Sequence, residues 1–144
     1  MGTWSDGAGV VELPDGRRVR GAGVRRPRGG DAPEFAVYLL GRDPRIADWP
    51  NLWVRWPDFR LPTSTEDAVA ALRAAHTRAA TERVEIACGS GVGRTGTALA
   101  LLAVLSGVDP SGAVAWVRAT YSPRAIETRR QRRWVEDVAA ALPR

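Results

Sequence analysis

The chain contains no lysine: its 21 strongly basic residues are all arginine. With so much Ala, Gly and Pro, that pattern reads as coding bias in a GC-rich prokaryotic genome. The net charge of +5 is therefore weak evidence for a nucleic-acid partner, although it favours acidic or phosphorylated ones. A single cysteine, Cys88, excludes an internal disulfide and suits a reducing compartment. The single histidine, His76, falls mid-helix and reads as a surface residue. No Asp or Glu stands at ligand spacing, so no metal site is expected. No apolar run reaches the length of a membrane span. The start, MGTWSDGAGV, lacks a basic-then-apolar signal pattern, so a cytoplasmic location is expected.

Composition is otherwise ordinary, and 144 residues suit one domain with one core, spanning residues 1–144. Residues 1–30 hold a predicted hairpin, Val10–Leu13 and Arg18–Val24 around Pro14-Asp15-Gly16, and then an Arg-rich loop. Phe35–Leu40 and Leu52–Trp56 are β-prone. Ser64–Ala80 reads as a helix capped by Thr63 or Ser64, with Glu66/Asp67 placed for a capping box and Val69, Leu72 and Ala79 inward. Val84–Cys88 reads as the central strand and Thr95–Ser106 as a buried helix. A helix from Asp109-Pro110 to Tyr121, with Val114, Val117 and Tyr121 inward, and another from Thr128 to Leu142 complete the chain. The expected fold is α/β (or α+β), a mixed sheet flanked by helices.

At the centre stands VEIACGSGVGRTGTALALLAVL, Val84 to Leu105. Three kinds of phosphate loop compete for its glycines. A nucleotide loop needs Gly, four free positions and Gly-Lys-Ser/Thr. Aligned on Gly93, its first glycine falls on Cys88 and its lysine on Arg94. Gly91-Val-Gly93-Arg-Thr-Gly96 fits the dinucleotide pattern G-x-G-x-x-G. The ribose-binding acid of that pattern, roughly 20 residues on, would fall near Asp109-Pro110, a helix start.

The third kind uses every unusual residue. Cys88 ends an apolar strand, five residues pass, and Arg94-Thr95 opens an apolar helix. Gly89, Gly91 and Gly93, with Ser90 and Val92 between them, let successive N–H groups turn around an anion at a helix N-terminus. Arg94 can grip two phosphate oxygens with its planar fork. The same donors favour a thiolate at Cys88, placed for in-line attack on phosphorus.

This Cys-x5-Arg-Ser/Thr signature resembles that of the protein tyrosine phosphatase superfamily, and the chain looks most like its compact dual-specificity-type and small prokaryotic members. The likeness covers most of Leu52 to Leu142. It implies a hydrolase of phosphotyrosine, with phosphoserine and phosphothreonine also open, in a protein or peptide partner. A phosphocysteine intermediate is implied, with no cofactor, no metal and no membrane. Trp56-Pro57-Asp58 resembles the family's mobile acid loop. Asp58 would protonate the leaving group and then activate water, and its aromatic and proline neighbours are expected to desolvate it. A capped turn leaving a strand is the plainer reading.

Gln131, in AIETRRQRRWVEDV, resembles the glutamine that orients the attacking water, yet Thr128-x-x-Gln131 is also a capping box. Thr95 would donate its hydroxyl to the sulfur, or cap its helix. Family members usually carry His before the cysteine; here Ala87 stands there, which would weaken the nucleophile. Phosphoinositide-directed relatives usually place lysines in the loop, and this one has none. The alternatives are a phosphatase of another ester (a sugar phosphate, an RNA 5′ end, a phosphoinositide) or a phosphate-binding module without catalysis.

Two arginine runs remain, Arg17 to Arg28 with six arginines, and Arg129 to Arg133. Solvated faces are the default reading for both. A sharper one lays the Arg25–Arg28 loop over the pocket, where it would read acidic residues beside the phosphosite. Tyr38, Trp53 and Trp116 read as core or pocket-wall aromatics.

Overall fold

The computed structural model describes residues 3–26 and 29–142; Pro27 and Arg28, and so one end of the Arg25–Arg28 stretch, lie outside the described residues. The chain first pairs β1 (Val10–Glu12) with β2 (Arg18–Gly23), antiparallel, Val11 facing Val19. The turn closes on Gly16 at φ +89°, a conformation that glycine adopts without strain. β3 (Phe35–Leu40), β4 (Asn51–Arg55) and β5 (Val84–Cys88) complete a sheet of order β1-β2-β5-β3-β4. β5 is its middle strand, as expected. β2, β5, β3 and β4 run parallel, so β1 alone makes the sheet mixed. Unbroken apolar runs such as β3 and β5 suit parallel strands, which are covered on both faces.

α1 (Thr65–Arg78) starts at Ser64, whose Oγ accepts the Asp67 N–H at 3.1 Å. Its buried face is Ala68, Ala71, Leu72 and Ala75; Val69, expected inward, is only half-buried at the edge of that stripe. α2 (Gly93–Leu105) begins two residues before the expected Thr95, because the end of the phosphate-type loop is already helical. The helix expected from Asp109 is split. A 3₁₀ turn, Pro110–Gly112, is capped by Asp109 Oδ1 on the Ser111 N–H at 3.0 Å, and α3 (Ala113–Thr120) follows. α4 (Arg129–Ala141) opens on Thr128 with the full capping box.

The main core joins Phe35, Val37 and Leu39 of β3 and Val84 and Ile86 of β5 to Trp56, Leu72, Leu99 and Val135. The opposite face of the sheet carries a smaller cluster, Ala36, Tyr38 and Ala87, against Ile46 and Trp49. Buried α2 touches α1, α3, α4 and β5, so the first turn that carries Arg94 is anchored in the core.

Three expectations change. His76 is half-buried rather than a surface residue, its Nε2 2.8 Å from Asp15 Oδ2 and 3.1 Å from Ser106 Oγ. Arg20 is not on a solvated face: it pairs with fully buried Glu85 (Nη2–Oε1 2.8 Å) and lies 3.9 Å from the Trp4 ring centroid. Trp53, on the edge strand β4, is exposed, whereas Tyr38 is core and accepts the Trp49 indole N–H at 2.9 Å. Among the described residues no helix is long and apolar enough to cross a membrane.

Candidate active site

Parallel β2, β5, β3 and β4 all end at one edge of the sheet, the edge where open α/β sheets bind ligands. β5 delivers Cys88 there, with 1% of its surface exposed. The chain leaving β2 keeps pairing with the loop beyond β5: the Val24 N–H donates to Cys88 O at 2.8 Å and the Arg25 N–H to Gly89 O at 3.1 Å. Those bonds occupy the loop's carbonyls from outside. Inside, the Gly91 N–H donates to Cys88 Sγ at 3.2 Å. Gly91 has φ +80°, and a Cβ there would also lie 2.7 Å from the Ala22 carbonyl carbon. Only glycine fits.

Arg94 sits in the first turn of α2, 5% exposed. Its Nη1–H donates to Trp56 O at 2.9 Å, and its Nη2 lies 3.3 Å from Asp58 Oδ1. Its Nε is buried and finds no hydrogen-bond acceptor among the described residues. A buried unpaired donor on a cation is costly and marks where an anionic oxygen would be bound. Arg94 and Asp58, far apart in sequence, thus meet beside Gly89, the residue that follows Cys88.

The other predicted residues divide. Trp56 does not desolvate Asp58, whose side chain is 44% exposed. The indole instead turns into the core, edge-on to Trp134, and donates its Nε1–H to Arg60 O at 2.7 Å, propping the loop from beneath. Phe59, next to the acid, is exposed with φ +60°. The Thr95 hydroxyl points to Ala22 O at 3.5 Å, the outer limit of a hydrogen bond. Gln131 is fully buried; its Oε1 accepts the Glu127 and Thr128 N–H groups and its Nε2–H donates to Arg60 O at 3.2 Å. One amide therefore caps α4 and holds the acid loop. Ala87 faces the small cluster around Tyr38, away from the main core.

Tyr121, expected only as an inward residue, belongs to the loop's support. Its hydroxyl donates to Gly91 O at 2.5 Å, and its ring lies where a Cβ on Gly21 would be. Burial above all, then the nearby Cys88 and Glu85 charges, push its pKa up to about 12 against the pull of Arg26. Helical periodicity shows that Tyr121 faces inward, but not that it reaches a loop carbonyl 30 residues earlier.

A cavity of about 360 Å³ opens over the loop, lined by Val24, Arg25, Leu40, Gly41, Arg42, Asp58, Gly89 and Arg94. A larger cleft of about 630 Å³ lies behind the loop, against Trp4, Arg20 and Tyr121, and touches none of Cys88, Arg94 and Asp58. Among the described residues no three His, Cys, Asp or Glu side chains cluster as metal ligands do.

Residues 57–136, more than half of the chain, match the family described as PTP-SAK, the Swiss Army Knife protein DSP-PTPase phosphatase domain. No curated protein matches. Among solved structures the chain is similar to Tk-PTP in its active form, at 25% identity and TM-score 0.71 over 92% of this chain and 97% of that one. It is also similar to kinase associated phosphatase with its catalytic-site cysteine substituted by serine, at 13% identity and TM-score 0.73 over 97% and 100% of the two chains. A third similar structure is PTPMT1, at 14% identity and TM-score 0.51 over 74% and 76%.

Proposed function

The chain belongs to the DSP-PTPase phosphatase domain family of Swiss Army Knife proteins, and from that premise we propose that it hydrolyses phosphotyrosine in proteins or peptides through a phosphocysteine intermediate, in the cytoplasm. Membership makes it a cysteine-based phosphatase, a phosphoric monoester hydrolase. One observation carries the finer reading: a buried guanidinium with an unsatisfied Nε–H and a carboxylate 3.3 Å from it line one cavity with Gly89, the residue after a sulfur that accepts the Gly91 N–H. Pure phosphate binding needs the guanidinium but neither of the other two.

In this reading the Cys88 thiolate attacks phosphorus, forming an S–P bond as the P–O bond to the leaving group breaks. The Gly89–Gly93 amides and Arg94 hold the three phosphoryl oxygens and neutralise them without a metal. Asp58 gives its proton to the departing phenolate. It then takes one from the water that attacks the phosphocysteine, which releases inorganic phosphate and restores the thiolate. Thr95 is within the same turn as Arg94, and we assign its hydroxyl to the departing sulfur. Gln131 acts by holding Arg60, and through it the acid loop. Apolar Val24 and Leu40 on the cavity wall suit an aromatic ring.

The test is hydrolysis of p-nitrophenyl phosphate and of phosphotyrosyl and phosphoseryl peptides in reductant with EDTA, beside Cys88→Ser. Turnover that survives EDTA, vanishes in the serine variant and is fastest on the phosphotyrosyl peptide is expected. Wild type that binds phosphate without turnover would leave only a binding module, and faster turnover of a sugar phosphate would displace the peptide reading.

A further inference from the structure

Each of the three strands around the site ends in an arginine or leads into one. β5 leads to Arg94, its neighbour β2 to Arg25, and its other neighbour β3 to Arg42. All three line the same cavity, where Asp58 is the one carboxylate among the described residues. Arg94 serves the scissile phosphoryl group. Arg25 and Arg42 have no such duty, and neither forms an ion pair or side-chain hydrogen bond with any described residue.

Arg25 is placed rather than free to wander. Its backbone N–H is tied to Gly89 O at 3.1 Å, and a Cβ on Gly89 would lie 2.8 Å from Arg25 Nη2 and 3.1 Å from Arg94 Nη2. The guanidinium thus occupies the space that a side chain at position 89 would fill. Gly89 supplies no charge of its own, and a cation from the adjacent strand stands in its place. Two like charges drawn this close favour a bound anion between or beside them. The neighbouring Arg26 does not share this role, because it lines the cleft behind the loop, near Tyr121.

We propose that Arg25 and Arg42 form a second anion subsite that selects phosphopeptides with an Asp or Glu directly beside the phosphotyrosine. This rests on the phosphotyrosine reading above. Both arginines are exposed and line the cavity, where the peptide chain beside the phosphoresidue would pass. Their planar forks match a carboxylate in a bidentate bond. A carboxylate held this way favours the acidic peptide by about tenfold in kcat/KM, mostly through KM.

The experiment compares kcat/KM for two phosphotyrosyl peptides that differ only in flanking Glu or Ala, in wild type, Arg25→Ala, Arg25→Lys, Arg42→Ala and Arg26→Ala. Wild type and Arg26→Ala should prefer the acidic peptide by about tenfold, Arg25→Ala and Arg42→Ala should show little preference, and Arg25→Lys should recover part of it. Circular dichroism of each variant checks that the fold is kept. No preference in a wild type that does hydrolyse p-nitrophenyl phosphate overturns this inference and leaves the phosphatase reading standing. Absence of that turnover removes the reading beneath it. Equal loss on both peptides in Arg25→Ala would make Arg25 a holder of the scissile phosphoryl group, contrary to the proposal. So would a sugar bisphosphate turned over faster than either peptide in an Arg25-dependent way.

Discussion

Asp58 and Arg94 lie 3.3 Å apart, and this ion pair, with the Arg94 hydrogen bond to Trp56 O, joins the acid loop to the phosphate grip. Phosphoryl oxygens bound by Arg94 would free the carboxyl to face the leaving group. Asp58→Ala should therefore lower kcat for a phosphotyrosyl peptide roughly 10²–10⁴-fold, with a smaller loss on p-nitrophenyl phosphate, whose leaving group needs a proton less. Equal losses on the two substrates would count against the acid role. Tyr121 makes a prediction of a different kind. Its hydroxyl ionises near 12 in the fold against an ordinary value of 10.0. As pH rises above the ordinary value, the unfolded chain loses this proton first, so stability is present below that value and is lost on the way to the folded one. The loss should come to about 3 kcal/mol. Urea unfolding on both sides of that window should show it in wild type and not in Tyr121→Phe.

At the scale of elements, the start of α4 has two tasks that mutation can separate. Thr128 only caps: its Oγ1 accepts the Gln131 N–H at 3.1 Å. Thr128→Ala should cost about 1 kcal/mol of stability with little change in kcat. Gln131→Leu removes the other half of the cap and also one of the two donors to Arg60 O, leaving only the Trp56 indole N–H. It should cost more, roughly 2–3 kcal/mol, and also lower kcat, because the acid loop loses one of its two tethers. Denaturation midpoints measured beside steady-state rates would decide; equal effects of the two variants on kcat would reduce Gln131 to a cap. α2 shows why the helix start ran earlier than its apolar residues suggested. Gly93 and Arg94 carry no apolar signal, yet they are helical because the loop must present its last N–H groups along the helix axis.

Across the whole molecule, polar links tie distant segments that the hydrophobic pattern leaves unassigned. Arg20 and Glu85 pair across β2 and β5 with almost no exposure, directly behind the loop. Arg20→Ala takes a cationic partner from a buried carboxylate and should lower stability by chemical denaturation; a loss below about 1 kcal/mol would mean that the pair counts for no more than an exposed one. At the far end of the sheet, Asp15, His76 and Ser106 join the hairpin turn to α1 and the end of α2. Burial opposes ionisation of Asp15, but the Arg17 N–H, His76, Ser106 and the Arg17 charge together hold its pKa below the ordinary carboxylate value. A lone histidine in an Arg- and Thr-rich stretch looks solvated in sequence, since nothing local signals a carboxylate 61 residues away.

Short-range pattern in the sequence is enough for the strand–loop–helix unit from Val84 to Leu105, the hairpin before it, the capped helices and the spacing of Cys88 and Arg94. These follow from local chemistry: apolar runs, glycines where backbone must turn, and caps within four residues. Which side chains from elsewhere reach that loop depends on the packing of the whole sheet. β2 and β3 flank β5, so their exits bring Arg25 and Arg42 to the cavity, turn Arg26 away, and let Tyr121 and Gln131 brace the loop and the acid segment. Strand order depends on how whole faces pack together, and no periodicity within a single segment records it.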